Sequence, residues 1–577
     1  MVLPAPKWGT ERAKTELTHF SVLRSAEMNT STNHIAWLAL AAAFVAGGCA
    51  ESPASSNDEP PVNEFLADSP WANTHRNSYS QGSAGLPGPE TAPANYVEDW
   101  LPARAGLITA NFSNTYADGK RVIWASAIGK ILKIDPNQDT LELIDEIDVA
   151  IDAVEDNGDE IAAGLDTALD TLSDLSNSTV GQLFGMNAPP DPELREGEAG
   201  RGASGIYPVL GSDGIFYQPL LQKIMAYGDA IEGDRNSEIE IKREFTLPAE
   251  LLQRDWDKII GLTMLYDGRL AFVTNYGLVG VIERDFSEAK YLQITDDEGE
   301  LEWVFNNITA DEEGGIYIVS HKRMHRVQWT GTELTLEEAA GGWSAPYGTG
   351  NDNPLPVQSL AGSGSTPSLM GTRPDDDRFV VITDGEQVMN IVLFWRDEIP
   401  EDWQQLPGTE SRRIAAQVPV TFGKADLERS FSDQSVLVRG YGAFVVNNEL
   451  TMYGDQLSTN IFISGEKGIQ PFGSEKFEWD PNTRQMTSVW TNQISFPNAI
   501  PTMSEATGLI YSIGARDLGE EENTWTLEAV NWQTGASEWY LPIGELARHN
   551  SAFAAVQVVE DRMVYYGTFF GLQRIRP

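Results

Sequence analysis

Short apolar segments that follow turns recur along the chain from Trp71 to the C-terminus. They are rich in β-branched and aromatic residues, and most follow a turn such as Ser212-Asp213-Gly214 or Tyr266-Asp267-Gly268, as β-hairpins require. The predicted strands cover residues 121–124, 214–217, 269–273, 315–319, 378–382, 508–511 and 562–565. Hairpins repeated at blade-like intervals predict an all-β fold, a β-propeller of seven or eight blades.

One segment, residues 139–202, departs from this pattern. Positions 139–198 carry 17 acidic residues against the single base Arg195. Its apolar residues recur at helical spacing, and they are Ile144, Ile147, Ile151, Val154, Ile161, Leu165, Leu169, Leu172 and Leu175. We predict an acidic helical pair inserted into a blade connection. It is either a loosely docked excursion or an arm that lays its apolar stripe on a ligand or partner.

The N-terminal region carries an apolar run, residues 35–45, that leads through Ala46-Gly47-Gly48 to Cys49. About a dozen apolar residues are too few to span a bilayer but fit the core of a secretory signal. This arrangement resembles a bacterial lipoprotein signal, which implies cleavage before Cys49 and lipidation of its thiol. We predict a signal peptide over residues 1–48, with Met28 as an alternative start. The alternative is a buried N-terminal helix with an inert cysteine.

The chain after Cys49 divides into a tether and a domain. Residues 49–70 are rich in Ser, Pro, Asp, Glu and Asn, a composition that cannot bury enough apolar surface to become ordered. They predict a lipidated, flexible tether, followed by the propeller over residues 71–577. The expected location is the cell envelope, facing the periplasm, and Ala50 after the cysteine favours the outer membrane by resemblance to the lipoprotein sorting rule.

The charge of the chain restricts its partners. A net charge of −45 repels phosphate backbones and anionic lipid surfaces, so we expect no nucleic-acid partner. With 41% hydrophobic and 10% aromatic residues the chain can bury a large core, and no second apolar run approaches about 20 residues. Membrane association is therefore expected only through the lipid anchor.

A motif near the C-terminus bears on the type of propeller. The segment Ala529-Val-Asn531-Trp-Gln-Thr534-Gly535-Ala-Ser-Glu-Trp539 resembles the tryptophan-docking repeat of the quinoprotein (PQQ-like) propellers, with Asn in place of the usual Asp. In this repeat Asp or Asn caps the turn, Gly takes a positive φ, and Trp packs against the next blade. Asp480-Pro-Asn-Thr483 with Trp490 is similar to a degenerate second copy, and residues 71–83 are similar to the superfamily's opening segment.

This resemblance implies several possible activities. Catalytic relatives bind pyrroloquinoline quinone, often over a vicinal disulfide, with Ca²⁺ nearby and an Asp as base. Cys49 is the only cysteine, so a vicinal disulfide is impossible, and we predict no cofactor. Non-catalytic relatives include an outer-membrane assembly lipoprotein that combines a lipid anchor with a propeller. A lactonase or other hydrolase would need acidic metal ligands at the mouth of the channel.

Four polar residues are the candidates for ligand binding: Thr366, Asn498, His549 and Asn550. Asn498 and the pair His549-Asn550 each precede a predicted strand, a position that points toward the central channel in propellers. Thr366 lies in a Gly-rich loop that lacks the lysine of a phosphate-binding loop. The alternative is that these side chains only satisfy backbone groups at the channel wall.

We predict neither a metal site nor a catalytic residue. His321 and His325 are four residues apart, but the apolar residues around them indicate strand. Four residues of strand span about 13 Å, which is too far for both to bind one ion.

The sequence therefore favours an envelope lipoprotein whose propeller binds an envelope protein or a small or apolar ligand, as a scaffold or accessory component of an assembly or uptake system. The alternative is a periplasmic enzyme, a hydrolase or an atypical oxidoreductase, with its site in the channel. Enzymatic activity is the less favoured of the two.

Overall fold

The computed structural model describes residues 58–150, 158–180, 204–254, 257–350, 362–450, 463–551 and 553–577. All of these residues belong to one compact unit of the chain. The predicted signal peptide, Cys49 and the predicted tether as far as residue 57 lie outside the described residues. Among the helices that are described, none is both long and apolar enough to cross a membrane.

The described strands form eight sheets, each a blade of four or five strands. In chain order the strands are β1 Ser83–Ala84, β2 Asp99–Pro102, β3 Thr109–Phe112, β4 Ile123–Ala127, β5 Lys130–Asp135, β6 Glu142–Asp148, β7 Val209–Leu210, β8 Phe216–Leu220, β9 Lys223–Asp229, β10 Ile239–Thr246, β11 Ile259–Met264, β12 Leu270–Thr274, β13 Leu278–Ile282, β14 Ala289–Gln293, β15 Thr309–Ala310, β16 Gly315–Val319, β17 Arg323–Trp329, β18 Leu334–Thr335, β19 Trp343–Pro346, β20 Ser368–Met370, β21 Phe379–Thr383, β22 Asn390–Trp395, β23 Ile414–Pro419, β24 Leu437–Arg439, β25 Gly442–Val446, β26 Ser474–Asp480, β27 Gln485–Asn492, β28 Thr502–Ser504, β29 Leu509–Arg516, β30 Thr524–Asn531, β31 Ser537–Gly544, β32 Val556–Val558, β33 Val564–Thr568 and β34 Gly571–Ile575.

Blades 1 to 3 are the antiparallel meanders β3–β6, β7–β10 and β11–β14, and blade 4 contains β15–β19. Blades 5 and 6 are β20–β23 and β24–β27, and blade 7 is β28–β31 with β1 added in parallel beside β28. Neighbouring first strands contact one another, for example β20 with β24 and β28 with β32. The first strand of each blade therefore faces the central channel.

Blade 8 closes the ring with the two ends of the chain. Its strands β32, β33 and β34 come from the C-terminus, and β2 pairs antiparallel with β34 as its outer strand. Arg574 Nε donates to Asp99 Oδ2 at 2.5 Å in this pair. Closure by the N-terminal part of the chain removes the exposed edge that an open sheet would present.

The prediction of an all-β propeller is confirmed, and the number of blades in the described residues is eight. The seven predicted segments correspond to β4, β8, β12, β16, β21, β29 and β33, which are the second strands of seven blades. These strands are buried over nearly their whole length, so they appear in the sequence as short continuous apolar runs. The second strand of blade 6, β25, was missed.

The acidic insertion between blades 1 and 2 contains a helix, α1 Gly158–Leu172, but its first part is not helical. Glu142–Asp148 forms β6, the outer strand of blade 1, and pairs with β5. Ile144 and Ile147 pack from this strand onto the core shared by blades 1 and 2. The predicted start of the insertion at residue 139 is therefore wrong. The spacing of these apolar residues suggests a helix, but pairing with β5 makes this part of the chain a strand.

The apolar stripe of α1 packs on the propeller itself. Leu165, Leu169, Leu172 and Leu175 pack around Phe570 and the loops before β3 and β32. The guanidinium of Arg104 bonds to Asp166, with 2.8 Å between Nε and Oδ1. This part of the stripe is already covered within the domain, so the predicted role as a free docking arm is wrong for it.

The tryptophan-docking turn has the geometry that its sequence indicates. Asn531 Oδ1 accepts the backbone N–H groups of Gln533 and Thr534 at 2.9 and 3.0 Å, and Gly535 has φ +71°. The ring of Trp490, from blade 6, lies over this turn, and a Cβ on Gly535 would come within 2.4 Å of it. Trp539 is half-buried against the core shared by blades 7 and 8.

An N-terminal segment bonds to the first strand of every blade. We call residues 63–84 the axial segment. Backbone N–H groups of six blades donate to its carbonyl oxygens at 2.8–3.2 Å, in the pairs Phe112–Trp71, Leu210–Ala72, Ala310–Ser78, Leu369–Tyr79, Val438–Gln81 and Met503–Gly82. Two side chains reach the other blades: Asn63 Nδ2 donates to Met264 O at 2.9 Å and Trp71 Nε1 donates to Val558 O at 3.0 Å.

The axial segment overturns part of the tether prediction. Residues 58–70 were assigned to a flexible linker, but Leu66 bridges to Gly211 of blade 2 and Glu59 forms ion pairs with Arg76 and Arg439. Composition indicated disorder because the few apolar residues could not form a core alone. Unpaired backbone groups on the first strands supply the partners that these residues lack locally.

Candidate functional site

Polar side chains from the loops before the first strands meet near the axis. Asn498, before β28, donates through Nδ2 to Asn550 Oδ1 and to Ser464 Oγ, both at 2.8 Å. Asn550, before β32, donates through Nδ2 to Asn177 Oδ1 at 3.1 Å. Asn177 follows α1, so the acidic insertion contributes a polar group to this site. Two of the predicted residues are thus in direct contact.

Thr366 lies on the loop before β20 and is almost fully buried. Its hydroxyl forms a hydrogen bond with the phenol of Tyr207, which stands two residues before β7. Burial is the main reason that the pKa of Tyr207 is raised to about 12, and the nearby charge of Asp433 acts in the same direction. The phenol is therefore neutral at physiological pH and can donate or accept a hydrogen bond.

Asp433, four residues before β24, is the most unusual group here. Both of its carboxylate oxygens are buried, and neither has a hydrogen-bond partner among the described residues. Burial raises the pKa of this carboxyl well above its usual value. A Cβ on Gly364 would come within 2.0 Å of Asp433 Oδ1, so the loop before β20 approaches the carboxylate so closely that only glycine fits.

His75, from the axial segment, faces the same cluster. Its ring centroid lies 6.0 Å from that of Tyr207, and its buried Nε2 has no partner among the described residues. Burial lowers the pKa of His75 to about 4, so the ring is neutral at pH 7. Gln434, next to Asp433, donates to Asn498 O at 3.2 Å and joins the two halves of the site.

We call this group the axial polar cluster, and its members are His75, Asn177, Tyr207, Thr366, Asp433, Gln434, Asn498 and Asn550.

The remaining predicted residue, His549, points elsewhere. Its Nε2 lies 2.9 Å from Glu98 Oε1, and its Nδ1 accepts the backbone N–H of Leu546 at 3.2 Å. The bond to His549 is the main cause that lowers the pKa of Glu98. Both ring nitrogens are thus engaged near β2, although Asn550, the next residue, belongs to the axial polar cluster.

The histidine pair in blade 4 occupies one hairpin. His321 follows β16, where its Nδ1 accepts the Trp303 N–H at 2.9 Å, and His325 lies within β17. Across the described ranges, no three or more His, Cys, Asp or Glu side chains gather as a metal-binding group.

The axial polar cluster combines one potential negative charge with neutral donors and acceptors. Amides, hydroxyls and a neutral imidazole fix the orientation of a ligand through hydrogen bonds, whereas an unpaired carboxylate favours a positive charge. Such a set fits a small polar ligand that carries a cationic group.

Sequence reasoning missed His75, Tyr207 and Asp433. Asp433 precedes β24 by the same four residues that separate Asn498 from β28, so the rule that selected Asn498 would also have selected it. The predicted strands do not include β24 or β25, so the rule does not extend to Asp433. His75 and Tyr207 had no comparable local signal.

Among solved structures, the chain is similar to a europium-containing methanol dehydrogenase, with 10% identity, a TM-score of 0.48, and coverage of 87% of this chain and 90% of that one. It is also similar to the quinohemoprotein alcohol dehydrogenase of Comamonas testosteroni, with 10% identity, a TM-score of 0.48, and coverage of 88% and 80%. The eight blades of the described residues define the fold as a β-propeller. Such low identity does not bear on activity.

Among curated proteins, the chain is 41% identical over 534 residues to a protein of Archaeoglobus fulgidus described as uncharacterized, and the match covers 91% of each chain. No protein-family model matches the chain. The chain belongs to the same family as this archaeal protein.

Proposed function

We propose that this propeller is a binding protein of the cell envelope, which takes a small cation-bearing polar ligand at the axial polar cluster. The observation that carries the proposal is the Asp433 carboxylate, buried without a hydrogen-bond partner among the described residues. Removing a carboxylate from water costs several kcal/mol unless a counter-charge or a proton compensates it. A bound cation would supply that counter-charge.

The neighbours of Asp433 support ligand binding over a purely structural role. Tyr207 lies close enough to Asp433 to sense its charge, and Thr366 and His75 contact Tyr207 in turn; none of these three groups carries a charge of its own at pH 7. Buried polar groups in native proteins are usually hydrogen-bonded. Three members of this cluster have buried polar atoms that lack partners among the described residues, His75 Nε2, Asn177 Nδ2 and the Asp433 carboxylate, and this supports a ligand here.

The ligand part is tested by calorimetric titration with defined probes: Na⁺, K⁺, Ca²⁺, ammonium, methylammonium and tetramethylammonium, with matched neutral alcohols. We expect at least one cation to bind and Asp433→Asn to weaken its affinity about 30-fold or more, because a buried counter-ion is lost. Asp384→Asn is the matched control, since Asp384 is also buried but accepts hydrogen bonds from Asn390.

The proposal fails if no probe binds the folded protein. It also fails if wild type and Asp433→Asn bind every probe equally.

The envelope part of the proposal rests on the lipoprotein-like signal that ends at Cys49. Acyl chains attached to this residue would hold the propeller at a membrane surface, where it could serve an assembly or uptake system. Cys49→Ser should move the protein from the membrane fraction to the soluble fraction. Soluble behaviour of both the wild type and the variant would contradict the anchor.

A further inference from the structure

Three side chains of blade 4 form a hydrogen-bonded chain that ends at the surface. Ser344 in β19 lies directly opposite His325 in β17, with 2.6 Å between Ser344 Oγ and His325 Nδ1. The other ring nitrogen, Nε2, lies 2.9 Å from Glu302 Oε2. The side chains of Glu302 and His325 are fully buried, whereas Ser344 is an exposed residue.

The hydrogen bonds assign the protons in this chain. Burial acts to raise the pKa of Glu302, but the bonds from His325 and Ser320 outweigh it and hold this pKa below its usual value. An ionised Glu302 can only accept, so His325 Nε2 carries a proton and, in the tautomer with a single ring proton, Nδ1 is free to accept. Nδ1 is then the acceptor, and the Ser344 hydroxyl donates to it. A hydroxyl placed in this way has a base ready to take its proton.

A cavity lies further along the same two strands, and Ser344 itself is not among the residues that line it. Arg323 and Pro346 form the pair two residues along β17 and β19 from His325 and Ser344, so their side chains share the same face, about 7 Å away. Both line a cavity of about 900 Å³, together with Asp296, Lys322, Tyr347 and Glu386 among others. The cavity is large enough for a small-molecule ligand, and its walls carry groups of both signs.

We propose that Ser344, His325 and Glu302 form a hydrolytic triad that cleaves small polar carboxylic esters. Ser344 Oγ attacks the ester carbonyl carbon while its proton passes to His325 Nδ1, and Glu302 stabilises the imidazolium. The tetrahedral intermediate then expels the alcohol, which receives that proton. Water attacks the acyl-serine with His325 again as base, and the products are the acid, the alcohol and free Ser344.

The position of Ser344 suits the charge that develops on the carbonyl oxygen. Among the described strands, β19 pairs only with β17, so its other side is an open edge of the sheet. Backbone N–H groups at such an edge are the kind of donor that stabilises an oxyanion in acyl transfer.

The first test uses a fluorophosphonate probe, which phosphonylates an activated serine with loss of fluoride. One label per folded chain should map to Ser344 by peptide mass, and Ser344→Ala should abolish it together with p-nitrophenyl acetate hydrolysis. Ser287→Ala is the matched control, because Ser287 is also exposed but its hydroxyl and its backbone N–H bond to the carboxylate of Asp285 and not to a histidine. Labelling of another residue, or no labelling of the folded wild type, overturns the proposal.

The second test measures the base directly and disturbs no buried residue. In a Cys49→Ser background, which removes the only native cysteine, the variants Ser344→Cys and Ser287→Cys are alkylated with iodoacetamide near pH 7. A thiol beside His325 should react about 10-fold faster or more, because the imidazole favours the thiolate. Equal rates would show that His325 does not activate this position and would overturn the triad.

Discussion

The axial segment and the axial polar cluster lie along the same channel but treat their polar groups in opposite ways. The carbonyl oxygens of the axial segment accept N–H groups from six blades, and two side chains bond to the other two. In the axial polar cluster, the Asp433 carboxylate and His75 Nε2 are buried without partners among the described residues. The axial segment satisfies backbone groups that the ring leaves open, although its Ser69 Oγ, Arg76 Nε and Ser83 Oγ also lack partners among the described residues. The axial polar cluster differs in leaving a whole carboxylate unsatisfied.

This difference distinguishes a segment that stabilises the fold from a cluster that we propose binds a ligand. Buried hydrogen bonds each contribute about 1 kcal/mol, while an unsatisfied buried polar group costs about 1–3 kcal/mol. A buried carboxylate without a partner is the costliest of these groups, so its presence beside the well-bonded axial segment supports the proposed ligand site. Substitutions in the two regions should therefore change stability in opposite directions.

The largest effect is expected at Trp71. This side chain is 1% exposed, and its indole N–H bonds to Val558 of blade 8. Trp71→Ala should lower the free energy of unfolding by about 3–5 kcal/mol, because it leaves a cavity and removes a hydrogen bond. Chemical denaturation followed by intrinsic fluorescence measures this change. A loss below about 1 kcal/mol would show that the axial segment does not hold the ring.

The next effect concerns pH. Burial lowers the pKa of His75 from 6.5 to about 4, so between these values the unfolded chain binds a proton that the folded chain does not. This group therefore stabilises the fold fully above pH 6.5, and its contribution is lost as the pH falls toward 4, by about 3 kcal/mol. The free energy of unfolding of His75→Gln should therefore fall less than that of the wild type as the pH is lowered from 6.5 to 4. Parallel pH curves for the two proteins would contradict this.

Asp433 should behave in the opposite sense. Because burial raises the pKa of Asp433, ionisation of this carboxyl is less favourable in the folded state than in the unfolded state. The free energy of unfolding therefore falls as the pH rises above about 3.8, the pKa of the carboxyl in the unfolded chain. Asp433→Asn should therefore stabilise the ligand-free protein at pH 7.5 by about 1–3 kcal/mol. The same thermal scans at pH 4 should show a smaller difference. Destabilisation at pH 7.5 would mean that the carboxylate is already compensated.

The smallest effect is expected at Trp539. The docking motif predicts a fully packed ring, for which Trp539→Ala would cost about 3–5 kcal/mol. In the structure this ring is only half-buried, with its centroid 6.1 Å from that of Tyr511. We expect a loss of about 1–2 kcal/mol, since less apolar area is removed from water. A loss as large as that of Trp71→Ala would mean that contacts between outer parts of the blades stabilise the propeller as much as the axial segment does.

The sequence predicted the blades to different extents, and strand length explains why. Second strands such as β12 and β16 have five residues and are buried throughout, so a short apolar run reveals them. First strands such as β7 and β15 have two residues, too few to show a periodicity. The loops before the first strands carry the site, so Asp433 was missed with β24.

Local chemistry by itself determined the hairpins, the Asn531–Gly535 turn and the apolar stripe of α1, because each depends on neighbours within a few residues. Tertiary structure alone decided that residues 63–84 bond to all eight blades, that the stripe of α1 packs on blade 8, and that Asp433 is left without a partner. It also placed His325 between Ser344 and Glu302. These outcomes depend on which distant segments meet when the ring closes, and a buried group's environment is set by those meetings, not by its position along the chain.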